Sequence, residues 1–322
     1  MGHAVNLVVS CSNRKRYETA PGLAVRELVG SDVRTRLQTW RERLRSATGE
    51  EYPATELYSG EHWSVVRDIP SDASDRGWNV RLWICSAGYG LIQPNTLIKS
   101  YQATFASGTQ DSVATEPTGR KAVQAWWTGV CSYSFSGKQH FPRSFEALAR
   151  AYPRTPLIVA LSADYLYAVE MDLLTVLQHS FFQRNLSIIS CGTDSQHNCW
   201  KNNLLPCDGG LAASLGGTFT SLNARVARFL FGFYAHAGPT VDGLAALVKS
   251  IEKRRAAAPQ PRTPQSDLEV ARYIREGLKK TPSVSKTKLL QEFRAAGKAC
   301  EQKRFGELYM QLRQGAQPKF HG

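Results

Sequence analysis

The sequence predicts an α/β fold carrying a small helical module at its end. Three observations lead there. Four short apolar runs, Val5–Ser10, Val80–Cys85, Pro156–Leu161 and Leu186–Ser190, each break into small or polar residues. Helical patterns separate the runs, so the strands pair in parallel and their loops share one edge. A proline-rich stretch from Ala256 then leads into three basic amphipathic segments.

The first strand ends in Cys11-Ser12-Asn13-Arg14-Lys15-Arg16. A hydroxyl, an amide and three cations leaving a strand suit a phosphate or a base edge. A helix over Ser31–Ala47 follows, with Val33, Leu37, Trp40 and Leu44 on its apolar stripe. Ser59 is read as the N-cap of a helix running to about Asp68. That places Glu61 and His62 in its first turn, where Glu61 also suits the helix dipole. Pro70–Gly77 reads as a polar loop.

The second strand leads into Ser86-Ala87-Gly88-Tyr89-Gly90. Two glycines around a tyrosine allow positive φ and a close approach by another group. The end of a buried strand is where open α/β sheets place ligands. A tight turn with Tyr89 as a core plug is the plain alternative. Trp63, Tyr101 and the aromatic, basic stretch around Lys138, His140 and Arg143 add surfaces on which bases can stack. The third strand ends at Ser162-Ala163-Asp164-Tyr165 and the fourth at Cys191–Asn198, which contains Asp194 and His197. Leu215-Gly216-Gly217-Thr218-Phe219 precedes another helix, and reads equally as a site that admits an anion or as a plain loop. Cys191, His197, Cys199 and Cys207 lack the paired spacing of structural zinc sites, so buried thiols and no metal or other cofactor are expected.

The 322 residues carry a formal charge of +13. From Ser250 onward 16 Lys and Arg face 7 Asp and Glu, so +9 of it lies there. A basic module beside a nearly neutral one suggests a polyanion, most simply nucleic acid. Its helices are expected over Asp267–Leu278, from Ser285 through Phe293, and over Ala299–Leu312, a helix-turn-helix-like pattern. Lys298, Lys303 and Arg304 would face DNA, with Arg14, Lys15, Arg16 and Lys138 in the larger domain. The expected division is 1–255, a linker over 256–266, and 267–322. No apolar run reaches the roughly 20 residues that span a bilayer, and seven scattered cysteines suit a reducing cytoplasm.

Four segments, Cys11–Lys15, Tyr58–Trp63, Ser86–Ile92 and Tyr101–Phe105, occur in that order. Together they resemble a bacterial family from deazaguanine DNA-modification and phage-defence loci. The resemblance implies a uracil-DNA-glycosylase-like α/β/α sandwich with a four-stranded parallel sheet. It also implies a phage-restricting, monofunctional DNA glycosylase acting on hypermodified bases, glucosylated hydroxymethylcytosine among them. Asn13 would stand in the water-activating loop, although the signature loops of uracil glycosylases are absent in their usual wording.

Cleaving a base–sugar bond requires a flipped base and a carboxylate or oriented water beside C1′. Glu61, Asp164 and Asp194 are the candidate acids, with Asn13 the amide alternative. Cys11, Ser12, Ser59, Trp63, Ser86, Gly88, Tyr89, Tyr101, Tyr165 and His197 are the candidate pocket. Two other functions fit the same residues: an enzyme that alters or recognises a deazaguanine-type base in DNA, and a DNA-binding regulator without catalysis.

Overall fold

The computed structural model describes residues 3–30, 32–114, 119–133, 141–191, 200–233, 240–251, 263–282 and 284–313, without the side chains of Arg120 and Lys303. The chain divides into two units, Met1–Arg254 and Arg255–Gly322.

The first unit opens with β1 (His3–Ser10), α1 (Val33–Ser46), β2 (Glu51–Pro53), α2 (Ala54–Leu57) and α3 (Glu61–Ser74). Next come β3 (Trp78–Ser86), β4 (Gly90–Ile92), β5 (Leu97–Lys99), α4 (Gly119–Cys131) and α5 (Phe145–Ala151). Then follow β6 (Leu157–Ala160), α6 (Ala163–Ala168), α7 (Glu170–Leu177), α8 (Ser180–Asn185) and β7 (Leu186–Ile189). The unit closes with α9 (Leu211–Leu215), α10 (Leu222–Phe233) and α11 (Val241–Lys249).

The sheet is five-stranded and mixed, in the order β4-β3-β1-β6-β7, and not the four-stranded parallel sheet expected. β3, β1, β6 and β7 pair in parallel, with Val5 opposite Val80 and Asn6 opposite Leu157. β4 turns back antiparallel to β3, Ser86 facing Gly90, because the glycine turn is tight enough to make a hairpin. Gly90 takes φ 74° there. Helices cover both faces. Trp78 meets Phe231 of α10, whereas Arg81 and Trp83 meet Tyr152 at the end of α5. Residues of opposite parity in a strand face opposite sides.

α3 starts and ends differently from its reading in the sequence. Its N-cap is Gly60 at φ 94°, not Ser59. It runs through Pro70 to Ser74, where a loop was expected. Tertiary packing outweighs the lost backbone hydrogen bond. Val65, Val66, Ile69 and Ala73 form one buried stripe, and Arg228 of α10 pairs with Asp68 at 3.5 Å and Asp72 at 2.6 Å.

In the second unit β8 (Thr263–Pro264) pairs with β9 (Lys298–Ala299) around α12 (Asp267–Lys280) and α13 (Lys286–Ala295), and α14 (Gln302–Arg313) follows. The segment expected as linker to 266 therefore already contributes a strand. Val270, Ile274, Leu289, Phe293 and Phe305 make a core of its own. Among the described residues no helix is long and apolar enough to cross a membrane.

Candidate active site

A cavity of about 480 Å³ lies at the carboxyl edge of the parallel strands. Its walls come from five places far apart in sequence: Ser10–Arg14 after β1, Ser59–His62 at the start of α3, Thr104, Tyr165 on α6, and Thr218 with Thr220 before α10. Parallel pairing brings these loops to one side.

The loop after β1 is held by main-chain bonds to the segment before α3. Arg16 N donates to Leu57 O at 2.8 Å and Ser59 N to Arg14 O at 3.0 Å. Ser12 Oγ donates to Ser59 O at 3.1 Å and accepts from Arg14 N at 3.0 Å. Gly60 lets the chain turn into α3 at φ 94°, a conformation that residues with a side chain rarely adopt. Asn13 and Arg14 stand exposed on the cavity wall, and Arg16 is exposed beside them.

Glu61 is the one carboxylate among the described lining residues, and it is already engaged. Its Oε1 accepts from Arg225 Nη2 at 2.7 Å, Thr218 N at 3.0 Å and Ser221 Oγ at 3.0 Å. The Arg225 guanidinium and the Thr218 amide hold its carboxyl down at about 2. Of the two readings of the stretch before α10, an anion site or a plain loop, the anion is present and is Glu61 itself. Gly217 is required beside it, because a Cβ would lie 2.3 Å from the carboxylate oxygen. A carboxylate this acidic is a weak proton acceptor but a permanent negative charge at the rim.

Tyr165 meets the cavity from the other side. Its hydroxyl and the Cys11 thiol lie 3.2 Å apart, both lining the space. Asp164, one residue earlier, is exposed in the first turn of α6. Asp194 and His197 lie outside the described residues, as do Lys138 and His140.

Trp63, Ser86, Gly88, Tyr89 and Tyr101 do not line the cavity as expected but form a packed layer of the core. Tyr101 Oη lies 2.7 Å from Ser86 Oγ and 2.9 Å from Tyr58 Oη. Trp63 stacks on Tyr58 at 4.9 Å. Ser86 Oγ accepts from Tyr89 N at 3.1 Å, closing the glycine turn. Tyr89 is 3% exposed and its hydroxyl bonds the Lys99 carbonyl at 3.2 Å, so it is the core plug and not a base-stacking surface. Gly88 is needed because a Cβ would come within 2.6 Å of the Tyr101 ring. Burial of the aromatic hydroxyls left no polar periodicity from which this could be read.

Lys15 also departs from its expected surface role. Its Nζ sits 4.2 Å from the centroid of the Tyr101 ring, out of contact with solvent and without a hydrogen-bond partner. Burial pulls this ammonium down to about 8.

His62, expected in the first turn of a helix and without a role, also lines the cavity. Its Nε2 lies 3.2 Å from the Ser10 carbonyl, which can only accept, so the neutral ring carries its proton there. Nδ1 is then a bare acceptor, buried and without a partner. Burial lowers its pKa below the usual 6.5, favouring the neutral ring. Its place in the first turn of α3 was legible; its reach to the end of β1 was not. Thr104, Thr218 and Thr220 carried no signal beyond their loops.

Two of the cations assigned to DNA in the second unit are engaged internally. Lys298 Nζ lies 5.1 Å from the Tyr273 ring and 5.8 Å from Phe293. Arg304 pairs with Asp267 and donates to Gln265 O at 3.0 Å. The Lys303 side chain is outside the described residues. Among the described residues no group of three His, Cys, Asp or Glu is placed to hold a metal ion. Cys207 is raised by a hydrogen bond to Cys191 and by burial; His197 and Cys199 are not described. No family model matches the chain, and neither a curated protein nor a solved structure matches it.

Proposed function

We propose that the first unit is a DNA glycosylase that hydrolyses the N-glycosidic bond of a hypermodified base, glucosylated hydroxymethylcytosine being the first candidate, and leaves abasic sites in phage DNA. One observation carries this reading. A cavity large enough for a flipped base combines an amide, a neutral imidazole and several hydroxyls beside a fixed carboxylate.

In this reading Asn13 orients the attacking water and His62 Nδ1 accepts its proton. The Glu61 charge, kept ionised by Arg225, favours the cationic sugar that forms as the base departs. Tyr165 and Thr104 offer hydroxyls to the base edge, and Arg14 and Arg16 offer charge to the flanking phosphates. Phe219 adds an apolar wedge. It is 56% exposed and sits between Thr218 and Thr220 of the cavity wall, where a ring could fill the gap left by the flipped base.

The test is mass spectrometry of bases released from several phage DNAs, with abasic sites counted in parallel. Release of a modified base with matching abasic sites supports the glycosylase. The prior engagement of the lining carboxylate favours, as second reading, a protein that recognises the modified base without cutting. Tight binding with no released base and no change in base mass would select it. A changed base mass with intact sugars would instead select modification of a deazaguanine-type base.

A further inference from the structure

The buried amine of Lys15 has no place in that hydrolysis. It follows by one residue the stretch that lines the cavity, Ser10–Arg14. Its ammonium lies over the Tyr101 ring, and Cys11, a residue of the cavity wall, acts on it electrostatically. Burial lowers its pKa more than Cys11 and Asp111 raise it, leaving it at about 8. Nζ makes no hydrogen bond. A buried cation without a hydrogen-bond partner is costly, and a desolvated lysine whose neutral form is accessible near neutral pH is a nucleophile. Swinging the four-carbon stem toward Cys11 breaks no hydrogen bond, only the contact with the ring.

We propose that Lys15 is a covalent site: its amine captures the aldehyde of an abasic deoxyribose as an imine, which makes the first unit a lyase as well as a base-releasing enzyme. The inference rests on the glycosylase reading for its substrate and replaces the expected monofunctional chemistry.

The neutral Nζ forms a bond to C1′ of the ring-opened sugar, giving a carbinolamine. Uptake of one proton from solvent and loss of water yield the protonated imine. A C2′ proton passes to Nδ1 of His62, an unpartnered acceptor on a residue of the cavity wall. The C3′–O bond breaks, and its electron pair leaves with the 5′-phosphate-ended strand. Water then hydrolyses the imine, returning the amine and freeing an unsaturated aldehyde on the other strand end.

The experiment uses the full chain and oligonucleotides, single- and double-stranded, that carry one preformed abasic site. Base release is bypassed, so the lyase is tested apart from the glycosylase. Borohydride reduction should give a covalent protein–DNA adduct whose peptide mass maps to Lys15, and unreduced samples should show strand cleavage. Lys15→Met keeps the stem on Tyr101, and Lys15→Arg keeps the charge but forms no imine. Both should lose adduct and cleavage by about tenfold or more, with melting temperatures confirming that they fold. No adduct in the natural protein, an adduct mapping only to other lysines, or undiminished trapping in Lys15→Arg would overturn the inference. Released modified base without any Lys15 adduct would leave the glycosylase standing and this step refuted. A Lys15 adduct without base release would do the reverse.

Discussion

The Glu61 carboxylate and the Arg225 guanidinium meet at 2.7 Å across 164 positions of sequence, joining the start of α3 to the first turns of α10. The contact pins Thr218 and the glycine pair before it against the cavity, so the rim depends on a charge pair that either element alone would lack.

Glu61→Gln should weaken that rim in a pH-dependent way. The folded carboxyl is held at about 2 against an ordinary 4.5. A depressed value means its stabilisation is complete above about pH 4.5 and lost as pH falls toward 2. The side chain is 34% exposed, so solvent screening leaves a contribution of about 1 kcal/mol. Thermal melts between pH 2.5 and 7 should show the natural protein losing its advantage over the variant in that window. Melting curves that stay parallel would show that the pair contributes nothing.

His62→Gln should lower turnover by about 10²–10⁴-fold while DNA affinity changes little, as expected for a group that acts on a proton in the transition state. Because burial depresses its pKa below 6.5, the active neutral ring persists below that pH and the acid limb of kcat/KM should lie there. The same shift has a stability consequence. The unfolded chain binds the proton first, so the contribution of His62 is complete above pH 6.5 and declines below it. Full activity in His62→Gln would remove it from the mechanism.

Phe219→Ala should leave the melting temperature nearly unchanged, since the ring is mostly exposed. Processing of double-stranded DNA should fall by about tenfold, and single-stranded DNA much less, because only a duplex needs its gap filled. Equal losses on both substrates would refute the wedge.

Gly88→Ala should destabilise the first unit by about 1–3 kcal/mol, the range for overfilling a packed core. The added Cβ would meet the Tyr101 ring at 2.6 Å and Trp40 at 3.2 Å. Denaturant unfolding measures this directly; an unchanged midpoint would mean that the tyrosine layer is looser than its contacts indicate.

Removing residues 255–322 should weaken DNA binding and flatten its dependence on salt, since fewer phosphates would be neutralised. Arg304→Ala should behave differently. Its partner is Asp267, so it should lower the melting temperature of the second unit and leave the salt slope alone. A slope unchanged by the deletion would exclude the basic unit as the contact.

Much of the frame was legible from residue patterns. The apolar runs around Val5, Leu82, Leu157 and Leu186 announced the strands, and the helical stretches between them announced parallel pairing. The Ser285 cap and the Gly297 turn marked the helices of the second unit, and the structure places a cap bond from Lys288 N to Ser285 Oγ at 3.2 Å. Cys11, Ser12, Asn13, Arg14, Ser59, Glu61 and Tyr165 were assigned to the site because they follow strand ends or begin a helix, and these do line one cavity. Spacing and capping are local properties, and local order along the chain is what they report.

Other features were decided only in three dimensions. Nothing near Glu61 names Arg225, and nothing near Lys15 names Tyr101, since each pair is joined by a loop closure of 86 residues or more. Tyr89 and Tyr101 read as binding aromatics because a buried hydroxyl looks in sequence like an exposed one; the partners that satisfy it come from other elements. Pro70 read as a helix stop because local propensity counts the missing N–H and not the packing against α10. The sequence by itself determined which residues end strands at a common edge. Desolvation and long-range pairing, which depend on every neighbouring element at once, decided which of them are anchors, which are core and which face the cavity.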